Sequence, residues 1–456
     1  MQTQIFTVHK RHLGLRAPTV LAVGFALTIL VGALVLMLPV SAADGQITPF
    51  LDALFTAASA SCVTGLVTVS TAVHWSVFGK CVILLLIQIG GLGFMSVAAI
   101  ASFVLRRTIT LHERMVMSAG LNLSDGGGIV RLTRRVLFGT FIIEGTGAVL
   151  LSCRFVPHYG FPKGITMGVF HAVSAFCNAG FDLMGTPDDP FQSLIGWAED
   201  PLVNITGMAL IVLGGLGFFV WSDVWDKHSF CRLRLHTKIV LTATAGLLLF
   251  GFGWTLLFEW SNPATLGAFD TPHKLLAAAF ESVTLRTAGF NTIDLGALTG
   301  PSQAVSCLLM FIGGSPGSTA GGIKTVTAAV LVLTAISAFC GRTTVSAFGR
   351  TIAPRSIMNA VTLLMAGGVL CLVGACAIAG IEDAPFHQCL FEAVSAFGTV
   401  GVSMGLTPTL SAASRVILIV MMYMGRVGVL TLGVAVFMRR REPPRLKYPD
   451  ADVFIG

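Results

Sequence analysis

Long apolar runs along the chain alternate with shorter, half-apolar pieces, and each short piece leads into a small polar stretch that ends on glycine. The long runs approach or exceed the roughly 18 to 20 residues that a helix needs to cross the hydrocarbon core of a bilayer, and the short pieces fall below it. Paired helices are therefore predicted over Thr19 to Leu38 and Lys80 to Leu105 around the short piece Pro49 to Ala60, and over Val136 to Cys153 and Leu202 to Trp221 around Met167 to Phe176. The same order predicts Ile239 to Phe258 and Gln303 to Phe339 around His273 to Leu285, then Ile357 to Gly380 and Arg415 to Met438 around Phe386 to Phe397. In so apolar a chain, a run of about 10 to 14 residues is more often re-entrant or buried than spanning. The expected class is an all-α integral membrane protein with eight transmembrane helices, two per unit.

The short pieces are copies of one another. They read FTAASASCVTGL (Phe55 to Leu66), FHAVSAFCNAGF (Phe170 to Phe181), FESVTLRTAGF (Phe280 to Phe290) and FEAVSAFGTVGV (Phe391 to Val402). Each opens on Phe, places Ser or Thr four residues on, and closes on Gly65, Gly180, Gly289 or Gly401, the third copy being one residue shorter. A unit of about a quarter of the chain thus recurs, and one repeat means one supersecondary unit. The units expected are residues 1–105, 106–222, 223–340 and 341–456, each a helix, a pore-type half-helix with its loop, and a second helix (M1-P-M2), with polar connections between them and a polar tail.

Composition narrows the class further. Of 456 residues 54% are hydrophobic and 11% charged, and the mean hydropathy is +0.83, which excludes a soluble domain with its usual charge of about a quarter of all residues. The first apolar run is longer than a signal-peptide core and reads as a retained helix. Ten cysteines sit mostly inside apolar runs without a CxxC pair, so neither a disulfide framework nor a metal site is expected. No HExxH or GxSxG occurs, and Glu144, Glu281 and Glu392 stand one per segment, which argues against a membrane-embedded enzyme.

Charge sets the orientation. The N-terminus (Lys10, Arg11, Arg16), the connections between units (Arg106, Arg107, Arg114, Arg131, Arg134, Arg135; Lys227, Arg232, Arg234, Lys238; Arg342, Arg350, Arg355) and the tail (Arg439, Arg440, Arg441, Arg445, Lys447) hold most of the 29 basic residues. Short cytoplasmic segments carry such an excess, so both termini are expected in the cytoplasm of a bacterial inner membrane. The net charge of +7 then needs no nucleic acid, and the basic loops suit anionic lipid or a cytosolic partner. The short pieces enter from the opposite face, where most acids lie: Asp44, Asp182, Asp188, Asp189, Glu199, Asp200, Glu259, Asp270, Asp294, Glu382 and Asp383. A mouth that gathers cations is one reading, and a plain solvated surface is the other.

A dehydrated cation needs several oxygens at close range, and backbone carbonyls supply them without burying net charge. Glycine permits the irregular backbone this requires, and such backbone survives at membrane depth only when it lines a cavity or is buried in protein. Four glycines, one per unit, would close a four-sided ring. The polar neighbours Thr64, Asn178, Thr287 and Thr399 suit lining or support.

These copies, the two-helix-plus-pore-loop unit and the stretch Ile312 to Thr325 resemble the superfamily of bacterial Trk and Ktr potassium transporters and plant high-affinity potassium transporters, over practically the whole chain. The resemblance implies a pseudo-fourfold arrangement of the units around one pore. It implies selectivity-filter positions at Val63, Thr64 and Gly65, at Asn178, Ala179 and Gly180, at Thr287, Ala288 and Gly289, and at Thr399, Val400 and Gly401, with K⁺ held at the four glycines. In the superfamily a Ser at the first of these glycines goes with sodium selectivity, so Gly65 implies potassium permeation, with sodium coupling left open. A coupled secondary carrier working by alternating access is the competing reading, although a pore loop in every unit favours the channel-like path.

The closing helices echo one another as IGGLGF (Ile89 to Phe94), LGGLGF (Leu213 to Phe218), IGGSPG (Ile312 to Gly317) and MGRVGV (Met424 to Val429). Close helix contact is expected for the first two. The third cannot hold a regular helix, because Gly and Pro are costly in helix interiors, and it should part Gln303 to Phe339 into two pieces around a flexible loop. GGIKT lacks the ending of a nucleotide-binding loop. By resemblance Gly313, Gly314, Ser315, Gly317, Ser318, Thr319, Gly321 and Gly322 form an intramembrane gate below the filter, with Lys324 at its end and Arg426 facing it from the last helix. Arg426 is functional by default on its own account, since an unpaired charge in an apolar helix is expensive. The absence of an added helix pair before the first unit, and the tail RLKYPDADVFIG, place the chain nearest the Ktr membrane subunit. That branch implies a homodimer on a cytosolic RCK-type ring of nucleotide-binding regulatory subunits, with no cofactor in this chain itself.

Overall fold

The computed structural model describes residues 17–93, 129–429, 431 and 433. The ends predicted for Lys80 to Leu105 and Arg415 to Met438, the N-terminus, most of the first connection and the basic tail lie outside these residues. Fourteen α-helices are described. They are α1 (Ala17–Leu36), α2 (Phe50–Cys62) and α3 (Val77–Leu92); α4 (Ile129–Tyr159), α5 (Phe161–Cys177), α6 (Pro201–Leu216) and α7 (Phe218–Lys227); α8 (Leu235–Glu259), α9 (Thr271–Thr284), α10 (Gly300–Phe311) and α11 (Thr325–Phe339); and α12 (Pro354–Ile381), α13 (Phe386–Gly398) and α14 (Ala412–Val427). A two-residue antiparallel pair, Ser346–Ala347 (β1) with Arg350–Thr351 (β2), precedes α12.

Local chemistry sets several starts. The Ser76 hydroxyl accepts the Gly79 N–H at 3.1 Å ahead of α3, and Asp200 Oδ1 accepts the N–H groups of Leu202 and Val203 at 3.0 and 3.1 Å ahead of α6. Such caps satisfy amides that the first helical turn leaves free. Among the described residues α1, α4, α8 and α12 are long and apolar enough to cross a membrane, and α6 with α7 makes a fifth candidate bent by 92°. That bend corrects the continuous helix expected over Leu202 to Trp221. Gly217 takes φ 94° there, a backbone that a side chain resists.

The echo on the closing helices marks breaks, and not only contact. Its fifth residue has positive φ in three units, Gly93 at 82°, Gly217 at 94° and Gly428 at 89°, and in the third unit the sixth residue, Gly317, has it at 68°. Its first glycine gives close approach, since a methyl group on Gly90, Gly214 or Gly425 would collide with the carbonyl of Ser61, Phe176 or Phe397 in the last turn of a short helix.

The short helices form the interior. The opening phenylalanines Phe55, Phe170, Phe280 and Phe391 are all buried, while Leu27, Val31, Phe141, Ile142, Leu249, Leu257, Met365 and Val369 on the long helices are exposed. An apolar outer surface around a packed centre suits hydrocarbon as solvent. The closing helix of each unit packs on the short helix of the next, α3 on α5, α6 on α9, α10 on α13, and α14 back on α2. Asp52 at the start of α2 and Arg415 on α14 join the first and last units at 2.7 Å.

Candidate functional site

Each short helix is followed by one left-handed residue and, two places on, by a glycine that also has positive φ. The pairs are Val63 and Gly65 (59° and 100°), Asn178 and Gly180 (58° and 69°), Thr287 and Gly289 (72° and 86°), and Thr399 and Gly401 (51° and 93°). Left-handed backbone costs a residue with a Cβ roughly 1–2 kcal/mol, so neighbours must hold it in place. Part of that hold is the Ser or Thr repeated in every copy. Its carbonyl accepts an N–H from the residue before the glycine: Thr64 to Ser59 at 2.8 Å, Ala179 to Ser174 at 2.8 Å, Val400 to Ser395 at 2.9 Å and, in the shorter third copy, Ala288 to Thr284 at 2.9 Å.

The hydroxyls differ among the copies. Ser59 Oγ accepts the Gly65 N–H at 3.1 Å, and Ser395 Oγ accepts the Gly401 N–H at 3.2 Å while donating to Val402 O at 2.6 Å. Thr284 donates to Phe290 O at 2.6 Å. The Ser174 hydroxyl is buried without a partner.

The four glycines meet in a closed circuit. A methyl group on Gly65 would lie 2.7 Å from Ala179 O, one on Gly180 would lie 2.9 Å from Ala288 O, and one on Gly289 would lie 2.7 Å from Val400 O. One on Gly401 would collide with Thr64 O, which returns the circuit to the first copy. Each glycine therefore abuts the carbonyl just before the next copy's glycine, and no side chain fits between them. Val63, Thr64, Asn178, Ala179, Thr287, Ala288, Thr399 and Val400 are fully buried around this circuit.

Beyond the glycines lies a cavity of about 240 Å³ lined by residues from all four copies, among them Leu66, Gly180, Gly289 and Gly401. Asp182 and Asp294 are its carboxylates. Desolvation pushes the Asp182 carboxyl up to about 6, against hydrogen bonds from the Met184 N–H and the Ser193 hydroxyl. Other acids expected at the mouth are occupied elsewhere: Asp200 pairs with Arg154 at 2.5 Å, and Glu259 is fully buried, accepting from Asn262, Thr265 and Thr299.

Three polar neighbours of the glycines, Asn178, Thr287 and Thr399, meet the stretch between α10 and α11, while the Thr64 hydroxyl is buried without a partner. Thr399 Oγ1 accepts the Gly321 N–H at 3.0 Å, the Asn178 amide and the Thr287 hydroxyl meet at 3.2 Å, and the Thr319 hydroxyl donates to Phe176 O at 3.3 Å. Backbone bonds add to this, Gly313 N to Ile323 O at 2.8 Å, Ser315 N to Gly215 O at 2.9 Å and Phe218 N to Gly317 O at 2.9 Å. Gly314, Ser318 and Gly322 complete the stretch, a methyl group on Gly314 meeting the Ala320 side chain at 2.5 Å and one on Gly322 meeting Gly398 Cα at 3.1 Å. The stretch is thus pinned on several sides, which corrects the expectation of a flexible loop. It also occupies the break between α6 and α7.

Two arginines clamp it. Arg426 donates to the carbonyls of Thr319 and Gly90, and to Gly91 O at 3.3 Å, so it ties the stretch to the end of α3. It stands in the echo where the other units have Gly91, Gly215 and Gly314. Arg286, directly before Thr287, donates to Gly313 O at 3.2 Å and to Thr325 Oγ1 at 2.8 Å, and it is buried. Sequence reasoning passed over Arg286, although a charge within an apolar segment is the same signal that singled out Arg426. Lys324 turns back on its own chain and donates to Ala320 O at 2.6 Å.

Comparison with known proteins shows the family. The TrkH family model, described as cation transport protein, matches residues 6–442. The chain is similar to the Ktr system potassium uptake protein B of Bacillus subtilis, 42% identical over 96% of each chain. It is also similar to the potassium/sodium uptake protein NtpJ of Enterococcus hirae, 40% identical over 96% of each chain. Among solved structures, the potassium transporter TrkH from Vibrio parahaemolyticus shares the fold, with a TM-score of 0.70 at 17% identity over 94% of this chain and 86% of that one. The helical architecture and the match over nearly all of its length make this chain a member of the TrkH family of cation transport proteins, a family of multi-pass membrane transporters and not an enzyme class.

Proposed function

We propose that the chain is the potassium-translocating, channel-like membrane subunit of a Ktr-type uptake system. The observation that carries this is the closed circuit of Gly65, Gly180, Gly289 and Gly401, backbone against backbone, opening on a cavity with carboxylates. Rings of backbone oxygen replace an ion's hydration shell without adding fixed charge. The arrangement supports four M1-P-M2 units set pseudo-fourfold around one pore, with eight spans, α6 with α7 and α10 with α11 each counting as one broken closing helix. The names of the relatives, potassium uptake and potassium/sodium uptake, support K⁺ as cargo.

In this reading the stretch from Gly313 to Gly322 with Arg426 is a gate below the ring, and both termini are cytoplasmic in the inner membrane. The word system in a relative's name supports a separate regulatory subunit, which we read as a cytosolic nucleotide-binding RCK-type ring beneath a homodimer. The test is growth of a bacterium lacking its potassium uptake systems. Expression of this chain should restore growth at limiting potassium, more strongly with the ring partner, and failure in both cases would sink the reading.

A further inference from the structure

The residue after the opening phenylalanine differs in each short helix: Thr56, His171, Glu281 and Glu392. In two copies this side chain braces the third residue beyond the ring glycine. His171 Nε2 accepts the Leu183 N–H at 3.3 Å, and Glu392 accepts the Met404 N–H at 3.3 Å together with the hydroxyls of Ser403 and, at 2.6 Å, Thr407. Glu281 is only 1% exposed, yet neither of its carboxylate oxygens has a partner. The third residue beyond Gly289 is Thr292, whose buried hydroxyl has no partner, and the preceding Asn291 Oδ1 has none either. The charged group that acts on Glu281 is a second carboxylate, Glu259.

A buried carboxylate without donors is untenable as a bare charge, and a cation or proton must accompany it. By repeat register Glu281 corresponds to Glu392, which meets Ser403 and Met404, so Asn291 and Thr292 are its counterpart neighbours, and the oxygens of all three side chains are buried without a hydrogen bond. A full carboxylate gives a stronger field than carbonyls, and a strong field favours the smaller alkali ion. We propose that Glu281, with the side-chain oxygens of Asn291 and Thr292, forms a second cation site in the third unit, behind the ring, that takes a dehydrated sodium ion. This goes beyond potassium passage through the ring and does not require it.

Thermal unfolding of the purified full-length protein tests it, with potassium held saturating and sodium chloride exchanged against choline chloride at constant ionic strength. Binding to the folded state alone raises the midpoint with ligand concentration, so the wild type should gain stability with sodium, and Glu281→Gln should lose that gain. Thr292→Val should need about tenfold more sodium for the same rise. Glu392→Gln should respond as the wild type does. No sodium response in the wild type, or an intact one in Glu281→Gln, overturns the proposal. So does a response to acid instead of sodium that Glu281→Gln abolishes, because the site would then hold a proton. If Glu281→Gln fails to fold, Thr292→Val decides alone, and an unshifted sodium response there overturns the site. A separate titration with potassium in the absence of sodium should stabilise these variants as it does the wild type, which separates this site from the ring.

Discussion

The loops that carry the ring glycines and the stretch between α10 and α11 are both rich in glycine, but different forces hold them. At the ring, backbone meets backbone and every glycine excludes a side chain from its neighbour. Between α10 and α11, backbone bonds to the break between α6 and α7 are joined by side chains that arrive from elsewhere: Arg286 before the third ring loop, Thr399 in the fourth, and Arg426 on α14. A region of the first kind has one solution. A region of the second kind can be released one donor at a time, which is what a gate requires and a filter must avoid.

Substitutions at the ring test the first half of that contrast and should have the largest effects. Gly65→Ser puts a Cβ 2.7 Å from Ala179 O and 3.0 Å from Gly180 Cα, on backbone at φ 100°. Neither contact is the end of a flexible side chain, so the ring has to open. Potassium selectivity over sodium should fall by about tenfold or more, measured as competing fluxes in proteoliposomes. Wild-type selectivity in this variant would remove Gly65 from the filter.

The second half predicts a gain instead of a loss. Arg426→Gln removes the donors to Thr319, Gly90 and Gly91, and it also removes a positive charge from the proposed path of a cation. Hydrogen bonds from charged donors are worth about 1.5–3 kcal/mol each, so potassium flux should rise several-fold. Arg286→Met removes the guanidinium from Gly313 O and Thr325 Oγ1 but leaves the Thr325 hydroxyl donating to Gly313 O at 2.9 Å, so it should raise flux less. Because both arginines hold the same stretch, the double variant should gain less than the two gains combined. Additive gains would mean two separate barriers, and a loss of folded protein in Arg426→Gln alone would mark a purely structural clamp.

A smaller effect is expected at the mouth. The Asp182 carboxyl, pushed up to about 6, is charged above that pH and neutral below it, and its negative form favours cations in the cavity. Potassium entry should fall as external pH drops through about 6, and Asp182→Asn should remove that step while lowering entry at neutral pH. An unchanged pH profile in the variant would assign the step to another group.

Much of this was legible in the sequence because repetition made it so. One glycine in a membrane segment says little, but four in matching context fixed which residues come together, and the apolar runs gave the order of long and short helices. What the sequence hid depends on contacts between units. The late glycine of each echo looks like any small residue until its φ is seen, so the sharp turn at Gly217 read as part of one helix. The stretch from Gly313 to Gly322 looked flexible because glycine and proline report local freedom only, and the bonds that remove that freedom come from residues far away in sequence. Arg286 was not legible from the repeat, because the other copies have Cys62, Cys177 and Gly398 three residues before their ring glycine.

The smallest predicted effect uses the copies as controls for one another. Ser59 and Ser395 both accept the N–H of their ring glycine, at 3.1 and 3.2 Å, whereas the Ser174 hydroxyl has no partner although it occupies the matching place. Ser59→Ala and Ser395→Ala leave a buried N–H without an acceptor, which costs about 1–3 kcal/mol locally and loosens the adjoining glycine. Ser174→Ala removes an orphaned hydroxyl and should be neutral or slightly stabilising. Thermal midpoints and sodium leak measured on the three variants should therefore divide two against one. A leak of equal size in all three would mean that the serines act through volume and not through the glycine N–H, and that the ring's backbone closure needs no help from the helices behind it.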